Sequence, residues 1–234
     1  METPFPFIYI NKALQPLSLA VHPVDRSAQE PTPFGKMTVI LKGSPKKPML
    51  NASGYWVYVG VPPRAYEVEV KPDKSTDYYL SKSFSVTLPS NGLAPNAELN
   101  LDDEVTLIGL PGALLAEVRL IPNAAFPFPS NATLVRILVV QDDGGTLVPV
   151  PDAQVRVLEQ GNPEADVTFR TGPKGQSVLF CNRITRDRIE EINGRAYAGT
   201  RDLRIEAQHP DVGQGTVDLT VEDFKTTSGT ITLV

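Results

Sequence analysis

Residues 54–70, GYWVYVGVPPRAYEVEV, decide the fold class. In the second part Tyr66, Val68 and Val70 alternate with Glu67, Glu69 and Lys71. That period of two gives a strand one buried and one solvated face. In the first part Tyr55, Val57, Val59 and Val61 alternate with Trp56, Tyr58 and Gly60, so both faces carry apolar mass. This predicts a strand central in its sheet. Pro62 and Pro63 fix φ and remove two backbone donors, which ends the first strand. The short connection VPPRAY predicts that the two strands pair with each other. No residue in the stretch is chemically reactive in this setting.

The same punctuation recurs outward from it. The 22 prolines and 17 glycines stand between short apolar runs rather than in tracts, an all-β signature. Residues 5–10 form a short apolar stretch, read as an edge strand or a docked arm. A strand follows at 17–24, with Leu17, Leu19 and Val21 on one face, then a polar loop at 25–35. Met37, Val39 and Leu41 mark a strand at 36–43, and a basic turn with Lys46 and Lys47 spans 44–51. That turn reads as a solvated loop, since no glycine-rich nest or helix start accompanies it. Phe84, Val86 and Leu88 point inward from a strand at 79–88, a turn spans 91–96, and apolar runs at 104–110 and 116–121 complete the half.

Residues 122–131, PNAAFPFPSN, break the alternation with three prolines. Phe126 and Phe128 favour docking of this segment on a domain over a free linker. The chain is accordingly divided into an N-terminal β-sandwich at 1–122, a Pro/Phe linker at 123–131 and a C-terminal β-sandwich at 132–234. The second half repeats the first in pattern. Residues 54–59 match 175–180, Tyr66-Val68-Val70 matches Leu203-Ile205-Ala207, and Phe84-Val86-Leu88 matches the strand around Val217.

The main difference between the halves is an insertion at 183–202. There Ile184, Ile189 and Ile192 predict one side of a short helix, stopped at Asn193-Gly194 by an αL cap. A long excursion in a compact sandwich is commonly functional. Arg183, Ile184, Arg186, Arg188, Ile189 and Ile192, with Phe126 and Phe128, are therefore the candidate protein-contact residues.

Composition bounds the function. A chain of 234 residues that is 41% hydrophobic is long enough for a substantial core. A net charge of -5, with 22 Lys+Arg interspersed among 27 Asp+Glu, speaks against nucleic acid as a partner. A single cysteine, Cys181, excludes an intrachain disulfide and reads as a small apolar strand residue. The N-terminus has no basic region and cleavage site of a secretory leader, and no run reaches a membrane span. A cytoplasmic protein is expected, with no membrane partner.

A family resemblance can now be named. The turn glycine, apolar strand, proline-containing connection and Tyr-x-Val-x-Val of 54–70 resemble the carboxypeptidase regulatory-like domain. The second half, with LVRILVVQDDGGTLVPVPDAQVRVLE at 134–159 and TGPKGQSVLF at 171–180, is similar to the same family in its commoner form. The resemblance implies two tandem seven-stranded, Greek-key, prealbumin-like β-sandwiches and an accessory role. It transfers no catalytic residue, because in carboxypeptidases the zinc site belongs to a different domain.

The chemistry-bearing residues point the same way. His22 and His209 each precede a proline, fall in different halves and have no His-Glu-x-x-His spacing, so no metal or other cofactor is expected. No Gly-x-Ser-x-Gly elbow occurs. Transthyretin-like hydrolases share the fold class but end in Tyr-Arg-Gly-Ser, where this chain ends SGTITLV. Asp102, Asp103 and Glu104, or Asp142 and Asp143, lack the alternating oxygens of a calcium loop and read as solvated turns. Trp56, Tyr58, Tyr78 and Tyr79 would serve a carbohydrate-binding module if exposed, but core packing is the expected role. An isopeptide from Lys36 or Lys42 to a strand Asn would need Glu67 or Glu69 buried, and both fall on the solvated face.

The expected function is that of a non-catalytic structural or adaptor protein binding other proteins through sandwich edges and loops. Double sandwiches with a Pro-Phe-Pro joint resemble accessory components of phage-tail-like contractile injection systems, which implies partners within a large assembly. A second copy of the chain is a further expected partner. Carbohydrate binding and transthyretin-like hydrolysis are the alternatives.

Overall fold

The computed structural model of the chain describes residues 16–25, 33, 35–158, 168–181, 191–192, 195–196 and 199–234. Every regular element among them is a strand. The first half contributes β1 (Leu17–Asp25), β2 (Met37–Lys42), β3 (Met49–Leu50), β4 (Trp56–Val59), β5 (Ala65–Pro72), β6 (Lys82–Thr87), β7 (Glu98–Asn100), β8 (Val105–Leu110) and β9 (Ala113–Leu120). The second contributes β10 (Thr133–Asp143), β11 (Thr146–Pro149), β12 (Gln154–Val157), β13 (Phe169–Arg170), β14 (Gln176–Cys181), β15 (Glu191–Ile192), β16 (Arg195–Ala196), β17 (Thr200–His209), β18 (Gly213–Glu222) and β19 (Thr226–Leu233).

In the first half a six-stranded sheet ordered β3-β4-β1-β9-β8-β7 faces a three-stranded sheet ordered β2-β5-β6. The seven strands expected become nine, because the short β3 and β7 extend the two edges of the larger sheet. In the second half β10 pairs with β11 and β14 on one side and with β19 on the other, while β13-β12-β17-β18 form the opposing sheet.

The repeat read from sequence is visible in the pairing. The first strand of each half runs parallel to the last, β1 beside β9 and β10 beside β19. Each first strand also pairs antiparallel with the strand that opens at a matched glycine, β4 and β14 respectively. The facing sheets place β2-β5-β6 and β12-β17-β18 in the same order.

One expectation fails in an instructive way. The strands on either side of VPPRAY do not pair: β4 lies in the six-stranded sheet beside β1, and β5 lies in the facing sheet between β2 and β6. The connection is a crossover between layers roughly 10 Å apart, and two prolines with extended φ suit that passage better than a hairpin turn. Gly60 N–H bonds to Pro16 O at 3.0 Å, Val61 N–H to Ser18 Oγ at 2.9 Å, and Tyr66 Oη to Pro62 O at 3.0 Å, so both ends of the crossing are anchored. Nor is β4 central in its sheet. Only the two-residue β3 lies outside it, which leaves Val57 and Val59 half-buried on its outer face.

Other boundaries shift for local reasons. Asp25, expected in a polar loop, ends β1 and is buried, its carboxylate accepting the Tyr79 hydroxyl at 2.6 Å. Thr200, Arg201 and Asp202, assigned to the insertion, begin β17 and pair with Glu222, Val221 and Thr220. Glu191–Ile192 pairs antiparallel with Arg195–Ala196, so Ile192 belongs to a strand rather than to the end of a helix. The expected arm at 5–10 lies outside the described residues.

The alternation of the deciding stretch holds in its second part: Tyr66, Val68 and Val70 are buried and Glu67 is exposed. Across the core Tyr58, fully buried, donates its hydroxyl to Val39 O of the facing sheet at 3.0 Å. Burial pushes the Tyr58 phenol up to about 12. An unfolded tyrosine ionises near 10, so the folded state binds the proton more tightly. Its contribution is intact below about pH 10 and is lost as pH rises toward the folded value. Urea unfolding followed between pH 8 and 11.5 should show stability falling at the alkaline end, and Tyr58→Phe should flatten that fall. An unchanged alkaline slope in the variant would assign the effect to other groups.

Candidate protein-contact site

Two neighbouring dipeptides join the halves. Tyr79 and Leu120 are buried in the first core, whereas the next residue of each, Leu80 and Ile121, is buried in the second. Strand alternation produces this split, since successive side chains point to opposite faces. The dipeptides are held together by Leu80 N–H to Ile121 O at 2.9 Å and Asn123 N–H to Tyr78 O at 2.8 Å. Leu80 lies so close to Gly172 that a Cβ there would meet Leu80 Cδ2 at 3.0 Å.

The Pro/Phe segment reinforces the joint. Phe126 packs edge-on against Tyr79 with ring centroids 5.3 Å apart, and Phe128 follows at 4.6 Å from Phe126. Phe128 in turn stacks on Phe180 of β14 at 5.9 Å and 11°. The segment expected to dock on one domain therefore docks on both. Phe126 and Phe128 are half-buried inside the chain and are not presented as free anchors.

An ion-pair network runs beside the aromatic row. Arg170 of β13 pairs through Nε with Glu104 Oε1 at 3.0 Å and through Nη1 with Asp152 Oδ1 at 2.6 Å, and its Nη2 donates to Ser81 O at 2.9 Å. Lys82 Nζ lies 2.6 Å from Asp102 Oδ2 and 3.3 Å from Glu104 Oε1. Burial works to raise the Asp102 carboxyl, but Lys82 and the backbone N–H groups of Glu104 and Val105 outweigh it and hold the group below its usual range. That contribution is present above the unfolded value of about 3.9 and is lost as pH falls through the depressed one. Asp102 and Glu104 are thus structural ion-pair partners rather than members of a solvated turn. Asp142 behaves as expected of a turn residue, accepting the Gly145 N–H at 2.6 Å.

The remaining candidates fall into structural roles. His22 stacks on Tyr55 at 4.2 Å and 13°, and His209 Nδ1 accepts the Asp211 N–H at 3.2 Å at the end of β17. Trp56 and Tyr78 pack against the first core and Tyr58 and Tyr79 are buried in it, so these four rings form no open platform. Cys181 is buried at the end of β14. Lys42 pairs with Glu67 at 2.7 Å, both half exposed, on the solvated face of their strands. Among the described residues no group of three His, Cys, Asp or Glu could hold a metal ion. Arg183, Ile184, Arg186, Arg188 and Ile189 lie outside the described residues.

No protein-family model matches the chain, and no curated protein matches it. Among solved structures it is similar to the Bacillus anthracis TIE protein, with 12% identity over 93% of this chain and 34% of that one and a TM-score of 0.29. It is similar also to GBS52, the minor pilin of Streptococcus agalactiae, with 12% identity over 92% and 95% of the two chains and a TM-score of 0.27. A third is the shaft pilin SpaA from Lactobacillus rhamnosus GG, with 10% identity over 92% and 96% and a TM-score of 0.26. The chain spans about a third of the length of the first of these. Likeness at these scores assigns no activity or partner.

Sequence reading missed the surface features that the fold leaves open. Met49 and Leu50 of β3 are 56% and 59% exposed at one edge of the six-stranded sheet, and Leu99 and Leu101 at its other edge are 39% and 40% exposed. Phe224 is 52% exposed in the turn between β18 and β19 with φ +64, a conformation that bulky residues rarely adopt. Asp223 and Thr133 brace that turn: Phe224 N–H donates to Thr133 Oγ1 at 2.9 Å, and Gly199 N–H donates to Asp223 Oδ2 at 3.2 Å. The bond to Gly199 puts Phe224 at the same end of the sandwich as the start of β17, where the insertion returns. The available signal was apolar residues set among polar or proline neighbours, in Pro48-Met49-Leu50-Asn51, Glu98-Leu99-Asn100-Leu101-Asp102 and Asp223-Phe224-Lys225.

The joint makes a direct prediction. Leu80→Ala should cost about 2–4 kcal/mol, as for a buried leucine, and Phe126→Ala somewhat less because its ring is half-buried. In calorimetry the wild type should melt in one transition and the double variant in two, as the halves uncouple. A single unshifted transition in the double variant would show that the joint carries no coupling.

Proposed function

We propose that the protein is a non-catalytic structural or adaptor component built from two tandem β-sandwiches, 1–122 and 132–234, joined by residues 123–131. It binds other proteins through its sheet edges and end loops. The observation that carries this reading is the placement of exposed apolar side chains at both edges of the six-stranded sheet, Met49 and Leu50 on one side and Leu99 and Leu101 on the other. Edge strands offer unpaired backbone groups, and isolated proteins normally blunt them with charge, proline or a covering loop. Apolar residues at such an edge favour a partner chain.

The joint supports the same role. Two cores linked through Leu80, Ile121 and the Phe126–Phe128 row hold the edges of the two halves in one relation, as a part under load or in register with neighbours requires. In its finer form the reading takes the sandwiches as carboxypeptidase regulatory-like and the protein as an accessory part of a phage-tail-like contractile injection system, present in the cytoplasm before assembly.

Affinity capture of the tagged chain from its native cells, with mass spectrometry of what accompanies it, tests the reading. Sheath, tube or baseplate proteins should be recovered with the wild type, and a Met49→Lys, Leu50→Lys variant should lose them while melting like the wild type. Recovery of the tagged protein alone would overturn the assembly role.

A further inference from the structure

Arg136 sits in the middle of the outer face of the sheet built on β10. It is level with Val178 on one side and Ser228 on the other, and in the next outward-facing row Leu138 lies between Gln176 and Thr230. The Pro/Phe segment crosses this face and covers part of it, with Phe128 over Phe180 and Ala124 beside Arg136. A cavity of about 420 Å³ remains open between the segment and β19.

Arg136 differs from five other strand cations. Lys42, Lys82, Arg156, Arg170 and Arg204 each have a carboxylate within ion-pair distance. Arg136 is half-buried and makes a single hydrogen bond among the described residues, Nη1 to Ala124 O at 3.1 Å. A guanidinium carries five donors in a planar fork that matches a carboxylate. Withdrawing a cation from water without an opposing charge is unfavourable, and an entering carboxylate would reverse that cost.

We propose that this cavity binds a carboxylate side chain of an extended acidic segment of a partner protein, with Arg136 as the cation and Ser228 and Thr230 as flanking hydroxyl donors. The polar positions favour an extended chain: Ser228 and Thr230 stand two residues apart on β19, a spacing of about 6.6 Å that matches alternate side chains of a strand. The walls formed by Leu138, Val178 and Ala124 are apolar. They suit the methylenes of a glutamate and an apolar neighbour better than a free inorganic anion. One cation in a chain of net charge -5 also disfavours a nucleic-acid backbone.

This proposal rests on the protein-binding role above, though on a different surface. Its test uses the full chain and a fluorescein-labelled peptide of alternating glutamate and valine, compared by fluorescence anisotropy with a glutamine–valine counterpart. The glutamate peptide should bind at least tenfold more tightly than the glutamine one. Arg136→Ala should lose at least tenfold, Arg136→Lys should retain part of the affinity, and Ser228→Ala with Thr230→Ala should weaken it severalfold. Circular dichroism establishes that each variant is folded. Should Arg136→Ala unfold through loss of its bond to Ala124, the Nε–H resonance of Arg136 in the wild type decides, and it should shift on addition of the glutamate peptide.

Equal affinity for the two peptides, undiminished binding by folded Arg136→Ala, or an unmoved Arg136 resonance at millimolar peptide would overturn the proposal. So would inorganic phosphate competing as strongly as the peptide, which would make the site one for free anions. The capture experiment on Met49 and Leu50 does not depend on Arg136. Recovery of the wild-type chain alone, with peptide binding intact, would sink the assembly role alone, and capture of partners without peptide binding would sink only this site.

Discussion

The alternation of side chains across Tyr79–Leu80 and Leu120–Ile121 is the constraint on which the molecule depends. A strand residue has one inward face, and its neighbour points away from it. Where a chain leaves one sandwich, that away-pointing residue meets water unless a second apolar surface covers it. Here the second core covers both, and the bond from Leu80 N–H to Ile121 O fixes the two dipeptides side by side. The joint is therefore part of both cores. The polar network of Arg170, Glu104, Lys82 and Asp102 then follows at its rim, where each charge has a partner and some access to water. Breaking such a pair leaves the remaining charge poorly solvated, which gives the rim specificity beyond its modest net energy.

Much of the fold was legible because strand alternation is a strong local signal. Tyr66, Val68 and Val70 face inward as their spacing predicts, and Met37, Val39 and Leu41 answer them from β2. The repeat was legible for the same reason: the matched glycines at 54 and 175 precede strands that both pair with the first strand of their half. Partner choice was not legible. VPPRAY has the length of a hairpin loop, and nothing in its composition states whether the chain returns to the same sheet or crosses to the facing one. The deciding facts are remote, namely Ser18 Oγ and Pro16 O receiving the backbone at Val61 and Gly60.

The contact residues were less legible than the fold, for a related reason. Phe126 and Phe128 stand out between prolines, yet their exposure depends on whether Tyr79 and Phe180 come within reach, and both contacts are long-range. Arg136 offers the opposite case. It sits in LVRILVV as an ordinary outward residue of an alternating strand. Only the parallel placement of β19 and the path of the Pro/Phe segment give it a concave setting. The identity of a residue was readable, but its role depended on which segments the topology set beside it.

The two halves show how one pairing scheme can yield surfaces with different uses. Both set their first strand parallel to their last. In the first half β8 and β7 continue the sheet past β9 and carry apolar leucines to its rim. In the second half the outer side of the last strand instead meets β18, where Gln214 and Val234 exchange backbone hydrogen bonds, and its outward residues at 226, 228, 230 and 232 are threonine or serine. The added strands thus move the edge outward and make it apolar in one half, while in the other the last strand presents a hydroxyl-lined face beside a cation. A duplicated sandwich need change only what lies beyond its last strand to acquire two chemically distinct faces, and the shared joint keeps those faces in a constant relation.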